Sequence, residues 1–465
     1  MHKKIIVILP ILIVVVLLSY GVYVKNNTSL LTIKPNVEQI KNNNQNLTPK
    51  ENAQNYTQLV TSTLEVSEKY KKGVFASPKE LNLPNGFKIS VFAAGLVKPR
   101  AITFDENGTI YITDTNFNVS KSNGGEVFAI IDTNADGVAD EINTVDSNLI
   151  HPHGIDLYNG DLYVGEEHQI IVYRNIKPNG EFDEKETLIP NLPNGVSFTT
   201  GSGHVTRTVK VNNDKIYVSV GSSCNVCEEK DPKRAAILKY SINGEFEEYL
   251  GTGLRNSVDF IFVNTSEFTQ EIWAVNNGRD RIGDDIPPEE LNVIRLDGNQ
   301  TTNHYGWPYC YGQGISNPEF SNKTAFCQNE THYPLYEMQA HSAPLGLSFH
   351  AYRKYGDSAK TFPDEIISDL FIAYHGSWNR TVPTGYKIVR LDTSEYFKNP
   401  EYHKQNSDIT KTTLSTQPVN FITGWLQEDG NAWGRPVDID FDSKGIMYIT
   451  DDKAGAIYRV EYATE

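Results

Sequence analysis

A short strand following a tight turn recurs six times along this chain, and no other feature narrows its possible folds so far. The copies are Asn107–Asp114, Asn159–Glu166, Asn213–Val220, Gln270–Asn276, Ser368–Tyr374 and Lys444–Asp451. Each reads apolar–aromatic–apolar after its turn residues. Most are preceded by another strand pattern, as at Ala101–Phe104, Gly154–Leu157 and Val437–Phe441. Many are followed by a third, as at Glu126–Ile131, Ile170–Tyr173 and Ala456–Val460. Repeated strand–turn–strand units at a wide period are the signature of propeller blades. No stretch sustains helical periodicity, which argues against an α/β fold. The expected fold is therefore all-β, a six-bladed β-propeller over residues 81–465, with the six recurrent strands close to a central channel. A large β-sandwich is the alternative, and six matching units favour the propeller over it.

The N-terminal end has a different character. Lys3 and Lys4 precede an uncharged apolar run from Ile5 to Val24, about the length that crosses a bilayer as a helix. A positive flank at the start keeps that end in the cytoplasm and sends the rest out. Residues 1–25 thus read as a signal anchor or a signal peptide. Tyr20-Gly21-Val22-Tyr23 fits a small-residue cleavage site poorly, so the anchor is favoured. Residues 26–80 read as a polar linker with a short helix near 59–72. The propeller is expected on the extracellular side of the membrane, anchored or secreted. Sequons at Asn46, Asn55, Asn107, Asn118, Asn264, Asn299, Asn322, Asn329 and Asn379 agree with an exported glycoprotein.

The four cysteines form two local pairs, Cys224/Cys227 and Cys310/Cys327. Outside the cell such pairs read as disulfides. One zinc site using all four thiolates is the alternative, but the second pair lacks the close spacing of a knuckle. The net charge of -16 argues against nucleic acid.

In a propeller, loops at one face build the site. The loops of interest are Gly201-Ser-Gly-His204-Val-Thr-Arg207, Gly253-Leu-Arg255-Asn256, Asn276-Asn-Gly278-Arg279-Asp280 with Asp284-Asp285 and Glu289-Glu290-Leu-Asn292, and Asn303-His-Tyr-Gly-Trp307-Pro308. In that order they resemble the soluble quinoprotein glucose dehydrogenases. His341-Ser-Ala-Pro344-Leu-Gly346 and Gly376-Ser-Trp-Asn379-Arg380 with Gly385-Tyr386 look closer to the sorbosone dehydrogenase branch of that glucose/sorbosone dehydrogenase family. The resemblance runs in order from about residue 85 to 462.

That resemblance implies binding of pyrroloquinoline quinone (PQQ), a planar tricarboxylate, and of calcium. It implies oxidation of a sugar, aldose or aldehyde by hydride transfer to the quinone, with an unnamed electron acceptor downstream. His204 resembles the general base, a task suited to imidazole. Arg255 and Asn256 resemble the pair that faces the quinone, where a guanidinium stabilises developing negative charge. Gly278 and Arg279 resemble positions whose backbone carbonyls hold calcium. Arg435 resembles one arginine of a cofactor-binding pair whose second position holds Val437. A lysine expected shortly before Gly385 is absent, and Arg380 is the candidate replacement.

A separate loop, Asp132, Asn134, Asp136, Gly137, Val138 and Asp140, spaces its oxygens like the start of an EF-hand and is a candidate second calcium site. Asn143 stands where a bidentate Glu belongs, and a polar inter-strand turn explains the loop equally well. His153 is a candidate channel residue. Two other readings of function stand beside the dehydrogenase. One is a calcium-dependent propeller lactonase, needing carboxylates and Asn in the channel. The other is a non-enzymatic extracellular propeller that binds glycan or protein, which the missing cations favour.

Overall fold

The computed structural model describes residues 56–115, 123–194, 203–265, 269–296, 303–399, 402 and 413–463. They form six antiparallel four-stranded sheets. Blade I comprises Pro99–Phe104, Ile110–Asp114, Asn123–Ile131 and Glu141–Ile150. Blades II to V follow in chain order, opening at Ile155, Arg207, Phe260 and Pro344. Blade VI takes Pro436–Phe441, Met447–Asp451 and Ala456–Tyr462 from the C-terminal end and Phe87–Ala94 from the N-terminal side. Phe87 pairs with Tyr462 and Ala94 with Ala456 across that seam, so the two ends of the propeller segment close the ring.

The recurrent aromatic explains why six blades hold together. Tyr111, Tyr163, Tyr217, Trp273, Phe371 and Tyr448 occupy the same place in successive repeats, and all are buried. Each packs into a cluster shared with the following blade. Tyr111 joins Ile155 and Val164; Tyr163 joins Val209; Tyr217 joins Phe260 and Ile272. Trp273 joins Leu347 and Ile372, Phe371 joins Ile439 and Ile449, and Tyr448 joins Ile102 and Ile112. One large side chain per repeat therefore serves as the wedge between neighbouring sheets, and the sixth returns to the first.

This arrangement corrects one expectation. The recurrent strand is the second strand of its blade, not the one nearest the axis. The axial cavity is lined by Ala101, Ile155, Thr208, Lys210, Asp259, Leu345, Val437 and Asp438, which belong to the first strands or their flanks. The second strand is buried on both faces between blades, so it carries the strong apolar pattern. The first strand faces the channel and carries polar residues.

The N-terminal boundary also moves. Leu59–Thr63 is a strand paired with Glu80–Pro84, and no helix spans 59–72; two short 3-10 turns lie at Glu68–Tyr70 and Gly73–Ala76. Leu64, Tyr70, Phe75, Leu81 and Leu83 are buried in the same cluster as Phe371 and Tyr458. The segment is part of the propeller domain from at least Tyr56, not a polar linker. Its apolar residues are too widely spaced to show either period. The predicted anchor, residues 1–25, lies outside the described residues, as do the sequons at Asn46, Asn55, Asn118 and Asn299. Among the described residues no helix is long and apolar enough to cross a membrane.

Cys224 is bridged to Cys227 and Cys310 to Cys327, with Cα–Cα separations of 6.2 and 5.6 Å, within the reach of a disulfide.

Candidate active site

A ladder of backbone bonds draws several loops to one place. His204 N donates to Ser222 O at 3.0 Å, and Ser222 N donates to Arg255 O at 2.8 Å. Asn256 N donates to Asn276 Oδ1 at 2.9 Å, and Asn277 N returns to Asn256 O at 3.0 Å. His204, Arg255, Asn256 and Gly278 are thereby brought together from blades III and IV. Gly221 makes the approach possible. A Cβ there would lie 2.5 Å from Asn256 Oδ1 and 2.6 Å from the His204 Cβ, closer than atoms can pack.

The tautomer of His204 follows from its neighbours. Nδ1 lies 3.1 Å from both Ser222 O and Ser222 Oγ. Ser222 Oγ donates its own proton to Cys224 O at 2.7 Å, so both oxygens facing Nδ1 act as acceptors. Nδ1 therefore carries the hydrogen and Nε2 the lone pair. Among the described residues Nε2 has no protein partner. Burial, reinforced by the Arg255, Arg207 and Arg234 charges, pushes the imidazole down to about 3. The ring is neutral at physiological pH and its free nitrogen is basic in form.

Arg255 is fully engaged. Nε donates to Asn225 O at 3.0 Å; Nη2 to Asn225 Oδ1 at 2.9 Å and Asp280 Oδ2 at 3.1 Å; Nη1 to Gly278 O at 2.6 Å and Asn277 O at 3.3 Å. All five guanidinium hydrogens have protein acceptors. This corrects the expectation of a guanidinium with donors free to face a quinone. It also places Nη1 on a carbonyl expected to hold calcium. The Arg279 side chain turns the other way, to Glu319 and Asn317. Glu289, buried beside this loop, accepts from Gly278 N at 2.5 Å and from Ala343 N at 3.3 Å. Burial raises its carboxyl to about 8.

A second group converges from blades V, VI and I. Arg435 donates to His375 O at 3.2 Å and Gly376 O at 2.8 Å. Asp452 accepts from Arg100 Nη1 at 2.6 Å and lies 2.9 Å from His375 Nε2. His375 and the two arginines hold that carboxyl well below the usual carboxylate range, against its burial. Arg100 supplies this group with a second arginine beside Arg435, where the sequence motif offered only Val437. It comes from another blade and stands in no recognisable motif. His153 reaches the same group, with Arg100 Nε 3.4 Å from its Nδ1. The two groups are joined by the 376–380 turn: Asn379 Nδ2 donates to the Asp280 carboxylate at 3.0 Å, which is also bound to Arg255.

Arg380 does not join them, which corrects its candidacy. Its guanidinium donates to Asp284 O, Ala340 O and Asp285 and borders a separate cleft of about 460 Å³ with Lys387 and Tyr336. Asp284 supports this loop by accepting from Thr381 N. In the Asp132–Asp140 loop, side-chain oxygens turn onto its own backbone. Asp132 accepts from Asp136 N and Gly137 N, Asn134 from Asp136 N, Asp136 from Val138 N, and Asp140 from Thr133 N. Those carboxylates are not drawn together as a metal-holding group, and the loop is a self-capped polar turn. Along the axis, Lys210 is buried among Asp156, Asp259, Asp438 and Asp440, whose charges raise it.

A tricarboxylate needs cations, and half-buried Arg100 and Arg435 supply them, with the buried Arg255 charge beside neutral His204. Calcium needs hard oxygens, and the carbonyls of Asn277 and Gly278 lie together at Arg255 Nη1, which both now accept from. The residues present fit both groups.

The sequence model of the family described as TrAA12-like matches residues 81–463. An uncharacterized protein of Borreliella burgdorferi is 36% identical over 394 residues, covering 82% of this chain and 91% of that protein. The pyrroloquinoline quinone-dependent pyranose dehydrogenase of Coprinopsis cinerea is 23% identical, covering 82% of this chain and 54% of that protein; the chain thus spans about half that relative's length. Among solved structures, the holo pyranose dehydrogenase PQQ domain from Coprinopsis cinerea is similar, with TM-score 0.62, 21% identity and coverage of 82% of this chain and 97% of that one. The calcium structure of the Trichoderma reesei family AA12 protein gives TM-score 0.60, 23% identity and coverage of 82% and 96%.

Proposed function

The chain belongs to the TrAA12-like family, and from that membership we propose that it is an oxidoreductase that holds PQQ and calcium and oxidises a sugar. The observation that carries this reading is the gathering of His204, Arg255, Asn256 and Gly278 by one hydrogen-bond ladder around a neutral imidazole with a free Nε2.

Under this reading His204 is the base. Its Nε2 takes the proton of the substrate hydroxyl while the hydrogen on the adjoining carbon departs as hydride, leaving a carbonyl or lactone. Ser222 fixes the ring so that the lone pair stays on that nitrogen. Arg100 and Arg435 would hold carboxylates of the cofactor, and Arg255 places its positive charge beside the site. The Asn277 and Gly278 carbonyls, which now accept from Arg255 Nη1, would hold calcium. The quinone, when bound, would supply the two-electron acceptor, and calcium would supply positive charge that favours its reduction.

Purified protein given calcium and PQQ is expected to acquire the quinone absorbance and to reduce an artificial dye with aldoses. Absence of both would overturn the reading. The pH profile of kcat/KM gives a second check. A histidine at its ordinary value would lose activity as pH falls through about 6.5. His204 is held neutral down to about 3, so kcat/KM is expected to stay level from about pH 7 to about pH 5. An acid limb centred near 6.5 would contradict the environment described for this base.

A further inference from the structure

We propose that the Cys224–Cys227 ring is a clamp on the Arg255 guanidinium, with Asn225 as the positioning residue. The inference rests on the role given to Arg255 above. A bridge across three residues is ordinarily a clip for a loop. Here the residue inside the ring reaches the centre of the site.

Asn225 grips Arg255 twice, accepting from Nε through its carbonyl at 3.0 Å and from Nη2 through Oδ1 at 2.9 Å. It grips the peptide of Asp280 from both sides, with Oδ1 accepting from Asp280 N at 2.8 Å and Nδ2 donating to Asp280 O at 3.0 Å. Asp280 in turn binds Arg255 Nη2 at 3.1 Å through its carboxylate. Nε and Nη2 are therefore fixed wholly by Asn225 and by the loop that Asn225 holds. Nη1 alone rests on the Gly278 and Asn277 carbonyls. The Asn225 carbonyl also accepts from Trp307 Nε1 at 3.2 Å.

The ring reaches the base as well. Cys224 O accepts from Ser222 Oγ at 2.7 Å, the hydroxyl that sits on His204 Nδ1. Next to it, Ser223 N donates to Glu229 at 2.6 Å. A bridge closing so small a ring removes backbone freedom from the residues it encloses. Asn225 is thus held with its carbonyl and amide aimed at Arg255 before any ligand arrives, which is the preorganisation that electrostatic stabilisation needs.

The test compares wild type, Asn225→Ala, Arg255→Ala, the double variant, and Cys224→Ser with Cys227→Ser, all in the full chain. Two measurements are made. In the apo protein, hydrogen exchange of the Arg255 Nε–H is followed by NMR with labelled arginine. In protein loaded with PQQ and calcium, kcat and KM for an aldose are measured. The Nε–H is expected to exchange slowly in wild type and fast in Asn225→Ala, with the unfolding midpoint nearly unchanged. Loss of hydrogen bonds to a charged group is expected to lower kcat roughly tenfold or more with little change in KM. The double variant is expected to be no worse than Arg255→Ala alone, because the two act as one unit. Independent, multiplicative losses would overturn the clamp, as would an Nε–H equally protected without Asn225. Should the cysteine variant fail to fold, Asn225→Ala keeps the bridge and decides. A wild type that shows the protected Nε–H but neither binds quinone nor oxidises aldoses would leave the clamp standing and remove the functional reading instead.

Discussion

A His204→Gln variant is expected to lose kcat by roughly 10²- to 10⁴-fold, the span that removal of a positioned general base covers, while quinone affinity stays nearly unchanged. Glutamine keeps similar length and can still hydrogen-bond near Ser222, so the ladder through Ser222 and Arg255 survives. What disappears is a nitrogen lone pair able to accept a proton. The separation of the two effects is the informative part. Ser222 fixes the imidazole through Nδ1, and no described contact ties the ring to Arg100 or Arg435, the cations assigned to the cofactor. Stopped-flow reduction with an aldose and fluorescence titration of quinone would measure the two separately. Undiminished turnover in this variant would falsify the role of His204 and leave the fold untouched.

The second large effect concerns the seam. A chain ending at Gly455 is expected to show no cooperative unfolding transition by circular dichroism, whereas one ending at Ala463 is expected to unfold like the full chain. The difference is Ala456–Ala463, of which the strand Ala456–Tyr462 lies between Met447–Asp451 and Phe87–Ala94. Removing it takes out Ile457, Tyr458 and Val460, all fully buried, and strips Phe87–Ala94 of its only partner within blade VI. It also removes the Tyr458 hydroxyl from buried Asp451, 2.9 Å away. Burial of a large apolar side chain contributes about 1.5–3 kcal/mol, so three of them with a strand's hydrogen bonds approach the roughly 5–15 kcal/mol that holds a domain folded. A Gly455-terminated protein that still melts cooperatively would mean that the ring does not depend on this closure.

The parts of this molecule that could be read from sequence are those whose cause is local. Tyr111, Tyr163, Tyr217, Trp273, Phe371 and Tyr448 repeat because every blade needs the same wedge, so the blade count was visible. The first strands were harder, since residues such as Lys210 and Asp438 face the axis and break the apolar pattern. Phe87–Ala94 could not be assigned to blade VI, because nothing near it announces a partner at the far end of the chain. The same holds within the site. His204, Arg255 and Asn256 sit in motifs, whereas Arg100, His375 and Asp452 are single residues that only the closed ring brings together. Arg380 is a cofactor candidate by its position along the chain, but Asp284 and Asp285 hold it in an outer loop. Asn225 stood in plain view between two cysteines, and its contacts depend on where residues 255 and 280 arrive.

The seam has a cost that no single contact displays. Bringing Phe87 to Tyr462 closes almost the whole propeller as one loop, and the chain entropy of such a closure grows as (3/2)RT ln n, about 5 kcal/mol at this length before any constant term. Yet Tyr56 and Tyr462, on the two sides of the seam, are neighbours, their hydroxyls 3.4 Å apart. A short peptide joining them would transfer the entropy cost from folding to covalent synthesis. The resulting circle could then be cut at another turn between blades, placing the seam wherever the new ends fall.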